Sequence, residues 1–140
     1  MTVQVVSTER LRIASEADAA TVRRAARDLA QRLGFDAFAT AAITTATSEL
    51  SRNVFVHGGG GQATVESLEH DGRKGIRILF VDEGPGIGDV ERALRGGWSS
   101  GRSLGLGLSG SRRLVDEFRL ESSPGAGTRI EVVKWARIRR

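Results

Sequence analysis

Residues 62–88 read QATVESLEHDGRKGIRILFVDEGPGIG. Gln62 to Glu69 predicts a strand, His70-Asp71-Gly72 a turn, and the apolar run Ile76 to Val81 a second strand. The segment is therefore a hairpin that breaks off into a glycine- and proline-rich string. Upstream, Gly58 through Gly61 end a helix predicted from about Asp36 to Val56, with Phe38, Ala42, Ile43, Ala46, Leu50 and Val54 on its apolar face. Before it, Ser15 and Asp18 form a capping box, the aspartate returning to the cap amide. The helix they start carries Val22, Ala25, Ala26, Leu29 and Leu33 on one side, arginines and Asp28 on the other, and Gly34 as its stop. Val3 to Ile13 alternates imperfectly and predicts two short strands, an edge hairpin, with Val3, Val5, Leu11 and Ile13 inward.

Downstream of the hairpin, half of the 18 glycines lie between Gly84 and Gly110, too dense for a packed element. Helical spacing resumes from Leu106 to Phe118. A strand follows to Ser122, then the turn Pro124-Gly125-Ala126-Gly127 and a last strand from Thr128 to Trp135 with Ile130 and Val132 inward. Paired strands separated by helices do not fit a doubly wound parallel sheet, in which single strands and helices alternate. The order predicts an α+β two-layer sandwich, with a mixed, mostly antiparallel sheet covered on one face by helices.

At 140 residues the chain reads as one domain, 1–140, without repeat or linker. A chain of this size hides about 68% of its extended surface. With 39% hydrophobic and 27% charged residues, wholesale disorder is excluded. Lys and Arg number 21 against 17 Asp and Glu, a net charge of +4 that permits anionic ligands without demanding nucleic acid. The absence of cysteine excludes disulfides, thiolate metal sites and cysteine nucleophiles, and leaves the redox compartment open. No apolar run approaches a bilayer span, and the opening TVQVVSTERLRIASEAD lacks a signal-like segment, so a cytoplasmic protein with no membrane partner is expected.

Three pieces carry chemistry. Glu49 and Asn53 are four apart in a helical pattern and share one face. A carboxylate there can orient or deprotonate a hydroxyl, and a carboxamide can join phosphate oxygens around a hard cation. Alone, the pair reads first as a solvated patch near a helix end. Asp82 to Gly88 follows a buried strand, where an aspartate can accept from an exocyclic amino group and small residues admit a planar base; alone, it is also a tight turn. Gly105 to Gly110 runs into a helix whose first amides can bind phosphate, or simply allows close packing. It is neither a Walker loop, because GxxxxGK[ST] is absent, nor a dinucleotide fingerprint, because no βαβ unit surrounds it.

Taken in order, SELSRN, DEGPGI, GLGLSG and GAGT resemble the nucleotide pocket of the ATPase superfamily shared by gyrase, heat-shock chaperones, bacterial histidine kinases and mismatch-repair proteins. Within it the chain is similar over essentially its whole length to the small stand-alone serine/threonine kinases that control sigma factors by partner switching, above all the stressosome switch kinase. The resemblance implies ATP and Mg2+ as cofactors. It makes Asn53 the magnesium ligand, Glu49 the general base for a protein hydroxyl, and Asp82 the partner of the adenine amino group. Gly84 and Gly86 would shape the base pocket and Thr128 support it, directly or through water, while Gly105, Leu106 and Gly107 open the phosphate-binding helix. Ile87 to Leu104 resembles the lid over ATP, with Asp89, Glu91 and Arg92 belonging to lid structure. Arg102 either offsets charge on a transferring phosphoryl group or is a solvated loop arginine. His57 reads as a helix C-cap or a packed edge histidine.

The same resemblance implies a protein substrate, a small anti-sigma antagonist or stressosome scaffold phosphorylated on serine or threonine. After release from that scaffold, a manganese-dependent phosphatase is the expected second partner. Direct binding of a sigma factor, or a non-catalytic nucleotide-dependent switch, are the alternatives. Nucleic acid is not expected: Arg23, Arg24, Arg27 and Arg32 share their helix side with Asp28, there is no tyrosine, and Trp98 and Trp135 lie far along the chain.

Overall fold

Side-chain caps set where the first two helices begin. In the computed structural model, which describes residues 2–88 and 104–137, the Ser15 hydroxyl accepts from the Asp18 amide at 3.2 Å and opens α1 (Glu16–Arg32). The return bond differs from the predicted one. Asp18 accepts from the amide of Ala14, at 2.8 Å, one residue before the cap. Gly34 ends the helix at φ +79°, as expected. The Asp36 carboxylate accepts from Ala39 at 2.7 Å and opens α2 (Ala37–Val56).

The strands are β1 (Gln4–Ile13), β2 (Gly61–His70), β3 (Arg73–Asp82), β4 (Glu117–Ser122) and β5 (Thr128–Trp135), and α3 (Leu104–Leu114) lies between β3 and β4 in the chain. They form one sheet in the order β1-β2-β3-β5-β4. Every described pairing is antiparallel, so the sheet is more regular than the mixed one predicted. The central hairpin turns on Asp71 and Gly72 alone, at φ 52° and 78°, the left-handed pair that matches strand twist.

Register explains the core. Ala63, Phe80 and Ile130 lie side by side across β2, β3 and β5, and Val65, Ile78 and Val132 form the next row; all are buried. Against them pack Val22, Ala26, Leu29 and Ala30 of α1, Ile43, Leu50 and Val54 of α2, and Leu108 of α3. On the other face the rows mix polar and apolar residues, Leu79 lying between Thr64 and Glu131 and Arg77 between Glu66 and Val133; Arg77 donates to Glu66 at 2.6 Å, and that bond raises the arginine pKa.

Four further expectations need correction. The opening stretch is one strand with an irregularity between Val5 and Ser7, and no edge hairpin forms. Val3 and Val5 are exposed, because β1 is an edge strand and only its end, at Leu11 and Ile13, reaches the helices. Phe38 is 67% exposed and lies off the apolar face of α2, with the Arg137 guanidinium 5.3 Å from its ring centre. The helix predicted through Phe118 ends at Leu114, and Phe118 instead packs on the core from β4.

Candidate functional site

At one end of the sheet, the close of α2 meets the close of β3. The His57 and Gly58 amides both donate to the Asn53 carbonyl, at 3.0 and 3.1 Å, and end the helix. Gly58 then packs directly on Asp82: a β-carbon at residue 58 would lie 2.6 Å from Oδ2 of that carboxylate. Gly84 fits against the Gly58 backbone with as little room, 2.7 Å from such a β-carbon to the Gly58 carbonyl oxygen. Gly86 adopts φ +77°, which turns the chain back toward β4 and β5.

These contacts leave a pocket of about 180 Å³. Leu50, Asn53, Val54 and His57 of α2 line one side, Phe80 and Asp82 of β3 the back, Pro85 to Ile87 the rim, and Leu108, Thr128 and Ile130 the rest. Apolar walls with a few converging polar groups are what a planar heterocycle requires. Burial pushes the Asp82 carboxyl above its usual range, and the amides of Gly84, 2.9 Å from Oδ1, and Thr128 partly restore its charge. Burial, reinforced by Arg52, lowers the pKa of His57. The Asn53 Nδ2 is buried without a hydrogen-bond partner, as expected of a group held for a ligand.

Of the predicted residues, Asn53, Asp82, Gly86 and Thr128 therefore face one cavity. Gly84 sits behind it, against Gly58. Glu49 lies one turn before Asn53 on the same helix, half-buried and outside the pocket lining. Gly105, Leu106 and Gly107 fall in the first turn of α3, whose Leu108 reaches the pocket. Arg102, with Asp89, Glu91, Arg92 and Trp98, lies outside the described residues. His57 is the helix C-cap, as read, but its side chain also lines the pocket.

Sequence reasoning missed Ser122. Its hydroxyl accepts from the Ile87 amide at 2.8 Å, donates to the Gly127 carbonyl at 2.8 Å, and meets the Thr128 hydroxyl at 2.9 Å. A serine closing a strand carries no signal by itself. The signal is its position directly across the ladder from Thr128, visible only once the register is known.

A family profile described as "Histidine kinase-like ATPase domain" matches residues 13–134, a span that includes every element lining the pocket. The chain belongs to the histidine kinase-like ATPase domain family. This histidine kinase-like ATPase domain is 43% identical over 127 residues to the serine/threonine-protein kinase RsbT of Bacillus subtilis, covering 91% of this chain and 96% of that one. It is 32% identical over 98 residues to the anti-sigma F factor of Thermoanaerobacter sp. (strain X514), covering 66% and 68% respectively. Among solved structures, the RsbU and RsbW domains of Rv1364c from Mycobacterium tuberculosis superpose with a TM-score of 0.64 at 23% identity, over 96% of this chain and 34% of that one, which supports the fold. The histidine kinase-like ATPase fold implies ATP binding, and homology to RsbT over nearly both full lengths makes this domain an enzyme of the serine/threonine-kinase type. Among the described residues, no helix is long and apolar enough to cross a membrane.

Proposed function

We propose that this chain transfers the γ-phosphoryl group of ATP to a serine or threonine hydroxyl of an anti-sigma antagonist or stressosome scaffold protein. The observation that carries the reading is the convergence of Asp82, Asn53 and Thr128 on one apolar-walled pocket at the end of α2. Asp82 accepts from the adenine amino group, and Pro85 to Ile87 frame the ring. Among the described residues no three His, Asp or Glu side chains cluster as a protein-only metal site. A lone carboxamide beside phosphates suits Mg2+, which binds few protein ligands and keeps water and phosphate oxygens. Asn53 would hold that ion, whose charge when bound offsets that of the phosphates.

Glu49 lies one helical turn away and outside the base pocket; in this reading it orients or accepts the proton of the incoming hydroxyl. The first turn of α3, with Gly105, Leu106 and Gly107, directs amides toward the phosphates, and Arg102 offsets charge on the group in transfer. The 43% identity to the serine/threonine-protein kinase RsbT supports the kinase assignment. In the proposed switch, the released kinase engages a manganese-dependent phosphatase. The second reading, direct binding of a sigma factor, draws on the anti-sigma F relatives.

Phosphoryl transfer from ATP to candidate antagonist domains, followed by intact mass, tests the proposal. Wild type should add a single phosphoryl group. Glu49→Ala should bind ATP as wild type does and lose transfer by about 100-fold or more, the scale of general-base catalysis. Unchanged transfer in that variant removes Glu49 from the chemistry.

A further inference from the structure

The pocket's discrimination between purines depends on where one proton points. Ser122 has one hydroxyl hydrogen and two lone pairs. The Gly127 carbonyl cannot donate, so its 2.8 Å contact takes the Ser122 proton. The Ile87 amide, also at 2.8 Å, occupies one lone pair. The remaining contact, 2.9 Å to the Thr128 hydroxyl, therefore has Thr128 as donor. With its proton committed to Ser122, Thr128 offers the pocket only lone pairs. Its neighbour across β3 and β5 is Asp82, an acceptor-only group when ionised.

We infer that Ser122 is a specificity-positioning residue, holding the Thr128 proton away from the pocket so that the polar wall formed by Asp82 and the Thr128 hydroxyl accepts and does not donate. Such a wall favours a purine bearing an amino group at the 6-position. At that position a 6-oxo purine sets a carbonyl oxygen, not a donor, against lone pairs, and only its N1–H is left to reach one of the two acceptors. The inference rests on the nucleotide reading above and adds a residue that does not line the pocket. Ser122 acts twice, because its bond to the Ile87 amide also fixes the rim on which the ring lies.

Titration of the full chain with MgATP and MgITP tests it, since the two ligands differ at the 6-position and its adjoining ring nitrogen. Wild type should prefer ATP strongly. Ser122→Ala frees the Thr128 proton to rotate toward the pocket, and the ATP-over-ITP ratio should fall about fivefold or more, the worth of one hydrogen bond. Ser122→Thr keeps the hydroxyl and should restore the ratio. Ser122→Cys, a near-isostere with a poor acceptor, should shift it in the alanine direction and serves if the alanine variant does not fold. In a Thr128→Val background there is no hydroxyl to re-aim, and the effect of Ser122→Ala on the ratio should vanish. Equal weakening of both nucleotides, with the ratio unchanged, would show a purely structural role and overturn the inference. Wild type that binds ATP and ITP equally overturns it too. Wild type that binds neither nucleotide overturns the ATP reading itself.

Discussion

Asp82 holds a charge that the fold disfavours and that, on the proposed reading, the ligand uses. Burial raises its pKa despite the amides of Gly84 and Thr128, so the ionised form is under-solvated. An amino group arriving at that carboxylate supplies the missing donor. Asp82→Asn should weaken ATP binding roughly ten- to hundredfold, the value of a hydrogen bond to a charged acceptor, as read by calorimetric titration at neutral pH. His57 runs the other way. Its pKa lies below the ordinary histidine value because the pocket desolvates the imidazole and Arg52 repels the cation. The unfolded chain therefore binds the proton more readily, and stability should fall as pH drops from about 6.5 toward the lowered folded value. His57→Gln should flatten that part of the melting-temperature profile, and a profile as steep as wild type's would place the titration elsewhere.

At the level of elements, the site exists because α2 ends where β3 ends, and glycine is what lets them touch. A β-carbon on residue 58 would meet the Asp82 side chain, and one on residue 84 would meet the Gly58 backbone. Gly58→Ala should therefore displace the Asp82 carboxylate, costing about 1–3 kcal/mol of stability by overpacking and ATP affinity along with it; denaturant melts and nucleotide titration measure the two. Much of this was legible in the chain. Ser15, Asp36 and Gly34 mark helix ends by their own hydrogen bonding or backbone freedom, and the apolar run Ile76 to Val81 marks the buried strand. What escaped depended on partners distant in sequence. Val3 and Val5 follow an inward pattern, but no helix reaches that end of an edge strand. Ser122 gains its role only through the ladder that sets it opposite Thr128.

Across the whole molecule, the pocket draws on both layers, so ligand binding and global stability are coupled through α2, α3, β3 and β5. MgATP at 100 times its dissociation constant should add about 2.7 kcal/mol, a rise of several degrees in melting temperature for a domain of this size. Two substitutions on that frame separate fold from site. Ile78 is fully buried in the middle of the sheet and does not line the pocket. Ile78→Ala should cost about 2–5 kcal/mol and lower the free and MgATP-bound melting temperatures together. Asn53 is the opposite case. Its buried Nδ2 has no partner, so removing it relieves an unsatisfied donor and should leave the free protein as stable as wild type or slightly more so. If Asn53 holds the cation, Asn53→Ala should nevertheless abolish the magnesium-dependent part of the stabilisation by ATP. A free Asn53→Ala protein that melts as early as Ile78→Ala, with its magnesium response intact, would mark Asn53 as a packing residue and move the cation site elsewhere.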